Sequence, residues 1–144
     1  MTQTIKKTET YTEQKNRHQK EINEFTDIFF AFNNEQFAQG MQKLGLNEKN
    51  DLNKIVSIGM SGFILKDKVK VFTDIFKRHA EERKQRTKEE RFLFDSLVYE
   101  LGNHEYCITY DLEPTLDALG LAKNDIPQTT LKRAIKEYLE RCDL

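Results

Sequence analysis

Tryptophan is absent from this sequence of 144 residues, and proline, cysteine and glycine are rare, with two, two and six copies. The few prolines and glycines leave the interiors of helices and strands largely uninterrupted. Two cysteines, Cys107 and Cys142, are too few for a disulfide-rich secreted scaffold, and they fit free or buried thiols in a reducing compartment. This scarcity excludes the small disulfide-stabilised class and favours regular secondary structure.

A long apolar segment is also missing. No uncharged stretch approaches the roughly 20 residues that a helix needs to span a bilayer. Residues 1–7 lack the apolar core of a signal peptide. We therefore expect a cytoplasmic protein that has no membrane partner.

Charge is abundant but unevenly distributed along the chain. Charged residues make up 33% of the sequence and the net charge is −1. Residues 66–91 carry ten Lys or Arg against six Asp or Glu, whereas residues 92–125 carry one against seven. The basic stretch at 77–88 is either a solvated helix face or a nucleic-acid contact. Its interleaved glutamates favour the solvated face, so nucleic acid is the less favoured partner.

The spacing of apolar residues predicts an α+β fold that is mainly helical, with five or six helices and a small β-hairpin or sheet. We expect residues 1–11 to form a flexible N-terminus. The length suits one domain, and residues 12–144 are expected to form it. Ten phenylalanines and five tyrosines supply material for its core.

In the first half of the chain, a helix is predicted from about residue 12. Its apolar face, at spacings of three and four, is Ile22, Phe25, Ile28, Phe29 and Phe32. Asn33 is suited to cap a short helix over residues 35–43. β-branched residues around two glycines predict a hairpin over residues 54–65, with Met60 and Ser61 in its turn.

In the second half, helical spacing predicts a helix over residues 68–85. Thr87 and Glu90 have the spacing of a capping box, which predicts a new helix that ends at Gly102. Residues 106–110 are strand-like, and a second short strand there is expected to join the hairpin. Pro114 fits the first turn of a further helix. A last helix presents one apolar face, made of Leu131, Ala134, Ile135, Tyr138, Leu139 and Cys142.

The densest group of reactive side chains lies at residues 101–111. Glu100 and His104 are four residues apart and would share a helix face, so they could supply two metal ligands, with Glu105 as a third. His104 and Cys107 could alternatively form a base and a nucleophile. Neither set has a recognised spacing. The structural alternative is a helix end that His104 caps, with Cys107 in the core.

The glycines at 59 and 62 suggest two other interpretations. A Gly-x-x-Gly loop can clamp a nucleic-acid backbone, but that module places the loop between helices. A turn that needs positive φ is the favoured explanation. A nucleotide site would combine this turn and Lys66 with Tyr106 and Tyr110, which would stack on a base.

Phe30 falls outside the apolar face of its predicted helix. The residue is either buried under a second layer or marks a contact with a partner or another copy of the chain. Together with Gln36, it is a secondary candidate for binding.

Three segments stand out together: FFAFNNEQF at residues 29–37 with Gly40, the segment 59–66, and YELGNHEYC at residues 99–107 followed by Tyr110 and Asp111. In this order they resemble a family of small proteins from tailed-phage and prophage genomes that is known as a domain of unknown function. The resemblance covers roughly residues 24–120. It implies an accessory phage product rather than a virion component, and such products commonly bind and block host factors, including those of immunity.

We therefore predict a non-catalytic phage-type accessory protein that binds a host protein or protein complex and counters host defence, in the cytoplasm of an infected or lysogenic bacterium. The predicted binding residues are Asn103, His104, Glu105, Tyr106, Tyr110 and Asp111, with Phe30 and Gln36 secondary. No cofactor is expected, and a homo-oligomer is left open. The alternatives are a nucleotide-sequestering protein and a metal-assisted hydrolase that uses Glu100, His104 and Glu105.

Overall fold

A computed structural model describes residues 8–142. Residues 1–7 of the predicted flexible N-terminus therefore lie outside the described residues. Tyr11, the last residue of that predicted segment, begins the first helix and is buried.

The fold is α+β and mainly helical, as predicted. The described part contains seven α-helices rather than five or six, and a sheet of three strands. In chain order the elements are α1 (Tyr11–Asn23), β1 (Ile28–Phe30), α2 (Asn34–Lys43), β2 (Ile55–Gly59), β3 (Gly62–Leu65), α3 (Val69–Arg86), α4 (Glu90–Asn103), α5 (Tyr106–Thr109), α6 (Glu113–Leu119) and α7 (Gln128–Cys142). None of the helices between residues 8 and 142 has the length and apolar character needed to cross a membrane.

The predicted hairpin is present. β2 and β3 pair antiparallel, and Met60 and Ser61 form the turn with φ of 51° and 64°. Positive φ at both central residues is the geometry that matches the twist of the flanking strands.

The third strand of the sheet was predicted in the wrong place. β1 pairs antiparallel with β3, giving the order β1-β3-β2. α1 ends at Asn23, so Ile28, Phe29 and Phe30 are not part of a long helix. Residues 106–109 form a single helical turn instead of a strand. A short apolar run is compatible with the periodicity of a helix and with that of a strand. Only its pairing with a neighbouring strand decides between the two.

Only some helix ends lie where the sequence predicted them. The side chain of Asn33 accepts a hydrogen bond from the amide of Gln36 at 2.8 Å, which confirms the predicted cap. Thr87 does not form a capping box, because its hydroxyl donates to the carbonyl of Lys84. α4 also continues through Gly102, which does not end it.

The chain divides into two compact units. The central unit is Gln19–Lys77, and the terminal unit combines the residues up to His18 with those from Arg78 onward. The prediction of a single domain stays a prediction.

Each unit has its own apolar core. The core of the terminal unit is built mainly on α4, α6 and α7, and includes Phe92, Leu93, Leu97, Val98, Leu101, Leu116, Leu119, Leu131, Ala134 and Tyr138. The core of the central unit lies between α2 and the sheet, and includes Phe29, Ala31, Met41 and Ile55. The predicted apolar face of α7 is therefore confirmed.

Candidate functional site

Six of the predicted binding residues lie together in the terminal unit, at the connection between α4 and α6. Asn103 ends α4, His104 follows it, and residues 105–111 carry α5 and the approach to α6. Phe30 and Gln36 belong to the central unit.

Glu100 is the centre of the polar interactions beside this connection. Its side chain is fully buried on α4. One oxygen, Oε2, accepts hydrogen bonds from the hydroxyl of Tyr11 at 2.6 Å and from Nζ of Lys15 at 2.7 Å. The other, Oε1, accepts from Nδ2 of Asn103 at 3.2 Å. A buried charge with several charge-assisted donors is compensated locally, so Glu100 holds α1 against α4.

These contacts shift the pKa values of Glu100 and Tyr11. Burial by itself raises the pKa of Glu100, but the hydrogen bonds from Lys15, Tyr11 and Asn103 hold it below its usual value. Burial, followed by the hydrogen bond to Glu100, raises the pKa of Tyr11. Glu100 is therefore a stable carboxylate at neutral pH, which suits a structural role better than proton transfer.

Asn103 and His104 face this carboxylate. Nε2 of His104 lies 3.3 Å from Oε1 of Glu100, which confirms that residues 100 and 104 share a face. That contact lacks hydrogen-bond geometry, and Nε2 has no other partner in the described part of the chain. The backbone amide of His104 donates to the carbonyl of Glu100 and closes the helix. Capping by the side chain of His104 stays a prediction.

α5 is held in an unusual backbone conformation. The residues on either side of it, Glu105 and Tyr110, have φ of 53° and 54°. Left-handed backbone in a residue other than glycine costs of order 1 kcal/mol or more and persists where the surroundings impose it. Here the amide of Cys107 donates to the hydroxyl of Tyr138 at 3.1 Å, which fixes the turn to α7.

The fixed turn projects apolar groups outward. Ile108 is 71% exposed and Tyr110 is 70% exposed. Tyr106 is half-buried, and its ring meets the rings of Tyr110 and Tyr138 edge-on. Asp111 is exposed and its side chain accepts from the amide of Glu113 at 3.1 Å, so it also helps to start α6. Among the six predicted residues, Tyr110 thus presents a largely exposed aromatic side chain to a partner.

The neighbours of the Cys107 thiol are not those that the nucleophile interpretation requires. Hydrogen bonds with Tyr138 and then Cys142 lower the pKa of the Cys107 thiol. Cys107 is therefore an interaction partner of α7, and no described contact joins it to His104.

The metal and nucleotide alternatives gain no geometric support. Among residues 8–142, no group of three His, Cys, Asp or Glu side chains is placed to hold a metal ion. Tyr106 and Tyr110 belong to the terminal unit, whereas Lys66 and the turn at residues 59–62 belong to the central unit.

In the central unit, Phe30 and Gln36 line one groove of about 1010 Å³. Phe30 is 56% exposed, so the interpretation that a second layer buries it is wrong. The side chain of Gln36 accepts a hydrogen bond from the amide of Phe32 at 2.7 Å, which ties α2 to the end of β1. The two secondary candidates are thus brought together, in a unit distinct from that of the other six.

The basic stretch is less solvated than predicted. Arg86 is buried, donates to Glu89 at 2.6 Å and to the carbonyl of Glu9 at 2.7 Å, and lies over the ring of Phe92. Lys84 and Lys88 are exposed. The solvated-face interpretation therefore fits these lysines and is wrong for Arg86.

Sequence reasoning missed the partners that α1 contributes to the terminal unit. Tyr11 and Lys15 reach Glu100 across 89 and 85 residues of chain. A second buried group joins Nε2 of His18 to Glu82 at 2.6 Å, and the rings of His18 and His79 stack with centroids 3.8 Å apart. The available signal was a tyrosine, a lysine and a histidine at positions 11, 15 and 18, which is the spacing of one helix face.

Residues 10–141 match the model of a family described as a family of unknown function, DUF7659. The chain belongs to this family. The DUF7659 match includes every predicted binding residue and both compact units almost completely. Its description names no phage, so the phage origin stays a prediction. No curated protein and no solved structure matches the chain.

Proposed function

We propose that this DUF7659 protein is a non-catalytic binding protein that contacts a partner protein through the turn at residues 105–110. The observation that carries the proposal is the exposure of Ile108 and Tyr110 on a turn whose two ends are left-handed. Backbone strain at a surface position persists only when the surroundings impose it, and it clusters at functional segments.

A protein partner suits these side chains. Interfaces bury aromatic and aliphatic anchors at their centres, and tyrosine is enriched among the residues that contribute most to affinity. The hydrogen bond from the amide of Cys107 to Tyr138 fixes the turn before binding, which lowers the entropy cost of association. Asn103, His104 and Glu105 contribute polar groups near the same surface.

The finer proposal concerns the partner. The segments at residues 29–37 and 99–107 resemble those of phage and prophage proteins, and accessory proteins of that origin commonly bind host factors. We therefore propose a host protein or complex as the partner and host defence as the process it affects. This part of the proposal has the resemblance as its support.

Affinity purification from a bacterial lysate tests the proposal. The bait chains are the wild type, Ile108→Asp, and Leu52→Asp as a matched control. Leu52 is 54% exposed and also lies in a single helical turn, but in the central unit. We expect a partner that the wild type and the control recover equally and that Ile108→Asp recovers at least about tenfold less, because a charge is buried at the interface centre. Equal recovery by all three baits would refute the choice of surface.

A further inference from the structure

The groove that contains Phe30 runs along an unpaired edge of the sheet. β1 is an outer strand in the order β1-β3-β2. Its three consecutive residues, Ile28, Phe29 and Phe30, all line the groove. Successive side chains of a strand point to opposite faces. Three consecutive residues can line one groove only if the groove follows the edge of the strand.

The backbone at this edge offers hydrogen-bonding groups to a ligand. The carbonyl of Asp27 accepts from the amide of Leu65 in β3 at 3.1 Å, and the amide of Ala31 donates to the carbonyl of Ser61 in the hairpin turn at 2.9 Å. Because backbone direction alternates along an antiparallel strand, the N–H and C=O groups of Ile28 and Phe30 point away from β3. Within residues 8–142, these groups have no hydrogen-bond partner. These free backbone groups are therefore positioned to pair with a further strand.

Apolar side chains flank this edge on both sides. α2 packs Gly40 directly against the ring of Phe29, on one face of the strand. Ile58 lies beside Phe30 on the other face. The rings of Phe72 and Phe76, whose centroids are 4.9 Å apart, also line the groove. Side chains that alternate along an added strand would therefore meet apolar surface on both faces of the edge.

The charge of the groove selects among extended ligands. Lys43 is the one charged residue that lines it, and its other polar lining residues are amides. Lys43 makes no ion pair within the described part of the chain. An occupant with a carboxylate near Lys43 would supply the missing charge, whereas a basic occupant would meet no counter-charge.

We propose that this groove binds an extended apolar peptide segment of a partner protein, which adds a fourth strand to the sheet beside β1 and places an acidic residue against Lys43. Strand addition is an established mode of peptide recognition, in which backbone hydrogen bonds supply affinity and side-chain pockets supply specificity. The site lies in the central unit and is independent of the turn at residues 105–110.

The test begins with selection from a display library of random nine-residue peptides on the full-length chain. We expect enriched peptides that alternate apolar residues and carry Asp or Glu at one end. One enriched peptide is then synthesised in two forms, with backbone amides N-methylated at odd or at even positions. Only amides of one parity face β1, so one form should bind about tenfold or more weakly and the other nearly as well as the parent. Equal affinity of both forms would refute strand addition.

Protein variants locate the site. Phe30→Asp and Lys43→Glu should each weaken the selected peptide about tenfold, and Lys43→Glu should enrich basic peptides on reselection. Met60→Asp is the matched control, because Met60 is 93% exposed and lies in the hairpin turn outside the groove. Thermal melting verifies that each variant folds. No enrichment, binding that all variants retain, or self-association through β1 in place of peptide binding would overturn the proposal.

Discussion

Replacing Glu100 by glutamine tests whether the buried carboxylate stabilises the terminal unit. The substitution keeps the shape of the side chain and removes its charge. The wild-type carboxylate is fully buried and accepts short hydrogen bonds from Tyr11 and Lys15, at 2.6 and 2.7 Å. Glutamine offers Tyr11 a neutral acceptor in place of a charged one and offers Lys15 no counter-charge.

The magnitude follows from these two contacts. A hydrogen bond to a charged group contributes about 1.5–3 kcal/mol, against about 1 kcal/mol for a neutral one. The loss at the hydrogen bond from the buried Tyr11 is therefore about 0.5–2 kcal/mol. The side chain of Lys15 is 40% exposed and rehydrates, so its loss stays below about 1 kcal/mol. We expect Glu100→Gln to lower the free energy of unfolding by about 0.5–3 kcal/mol at pH 7.

Tyrosine fluorescence during urea denaturation measures this change selectively. All five tyrosines lie in the terminal unit, and the chain has no tryptophan. The midpoint should fall while the dependence on urea stays constant. Combining the substitution with Tyr11→Phe in a double-mutant cycle should give a coupling energy of about 0.5–2 kcal/mol. A stability within about 0.5 kcal/mol of the wild type would refute a stabilising role for the carboxylate.

The pH dependence gives a second check. The pKa of Glu100 is lower in the folded protein than in the unfolded chain. Its contribution is therefore complete above the unfolded pKa, near 4.3, and is lost as the pH falls through the lower, folded pKa. The difference between wild type and Glu100→Gln should shrink across that acidic range. A difference that does not change with pH would mean that packing rather than charge is responsible.

Three further substitutions test local features. Gly40→Ala should destabilise the central unit by about 1–3 kcal/mol despite the higher helix propensity of alanine, because the new Cβ would overlap the ring of Phe29; chemical denaturation followed by circular dichroism measures it. Asn33→Ala should cost about 1 kcal/mol through loss of the cap, whereas Asn34→Ala should cost far less; the same denaturation measures both. Glu105→Gly should be neutral or stabilise by about 0.5–1 kcal/mol, because glycine adopts positive φ without strain; thermal melting checks it.

Controls separate these effects from general helix propensity. Gln42→Ala, at an exposed position of α2, should not destabilise the protein as Gly40→Ala does. Thr109→Gly, at the last residue of α5, should destabilise where Glu105→Gly does not. If Gly40→Ala proved as stable as the wild type, α2 would have to move away from β1. If Glu105→Gly proved strongly destabilising, the side chain of Glu105 would have a role that outweighs backbone strain.

The sequence predicted those features whose cause is local. Asn33 caps α2 because its side chain reaches the amide three residues later in the chain. Met60 and Ser61 form the hairpin turn because they separate two short extended segments. Glu100 and His104 share a face because one helical turn separates them. In each case the interacting groups lie within a few residues, so periodicity and residue type suffice.

The features that were missed depend on distant partners. Residues 28–30 have helical spacing, and their pairing with β3 makes them a strand. Residues 106–109 have strand-like composition, and the contact of Cys107 with α7 favours a helical turn there. Likewise, Glu100 alone does not reveal that Tyr11 and Lys15 will satisfy its charge. Tertiary contacts override local preference at these sites.

The long separation between Tyr11 and Glu100 has a consequence for folding during synthesis. The ribosome must add 89 residues after Tyr11 before its hydrogen-bond acceptor exists, which takes roughly 4–18 seconds at typical elongation rates. The central unit is continuous in sequence and is complete by Lys77. It is therefore expected to fold first, while the N-terminal half of α1 waits for α4. A delay in translation between residues 77 and 100 would lengthen that interval and leave the polar face of α1 open to chaperones or proteases.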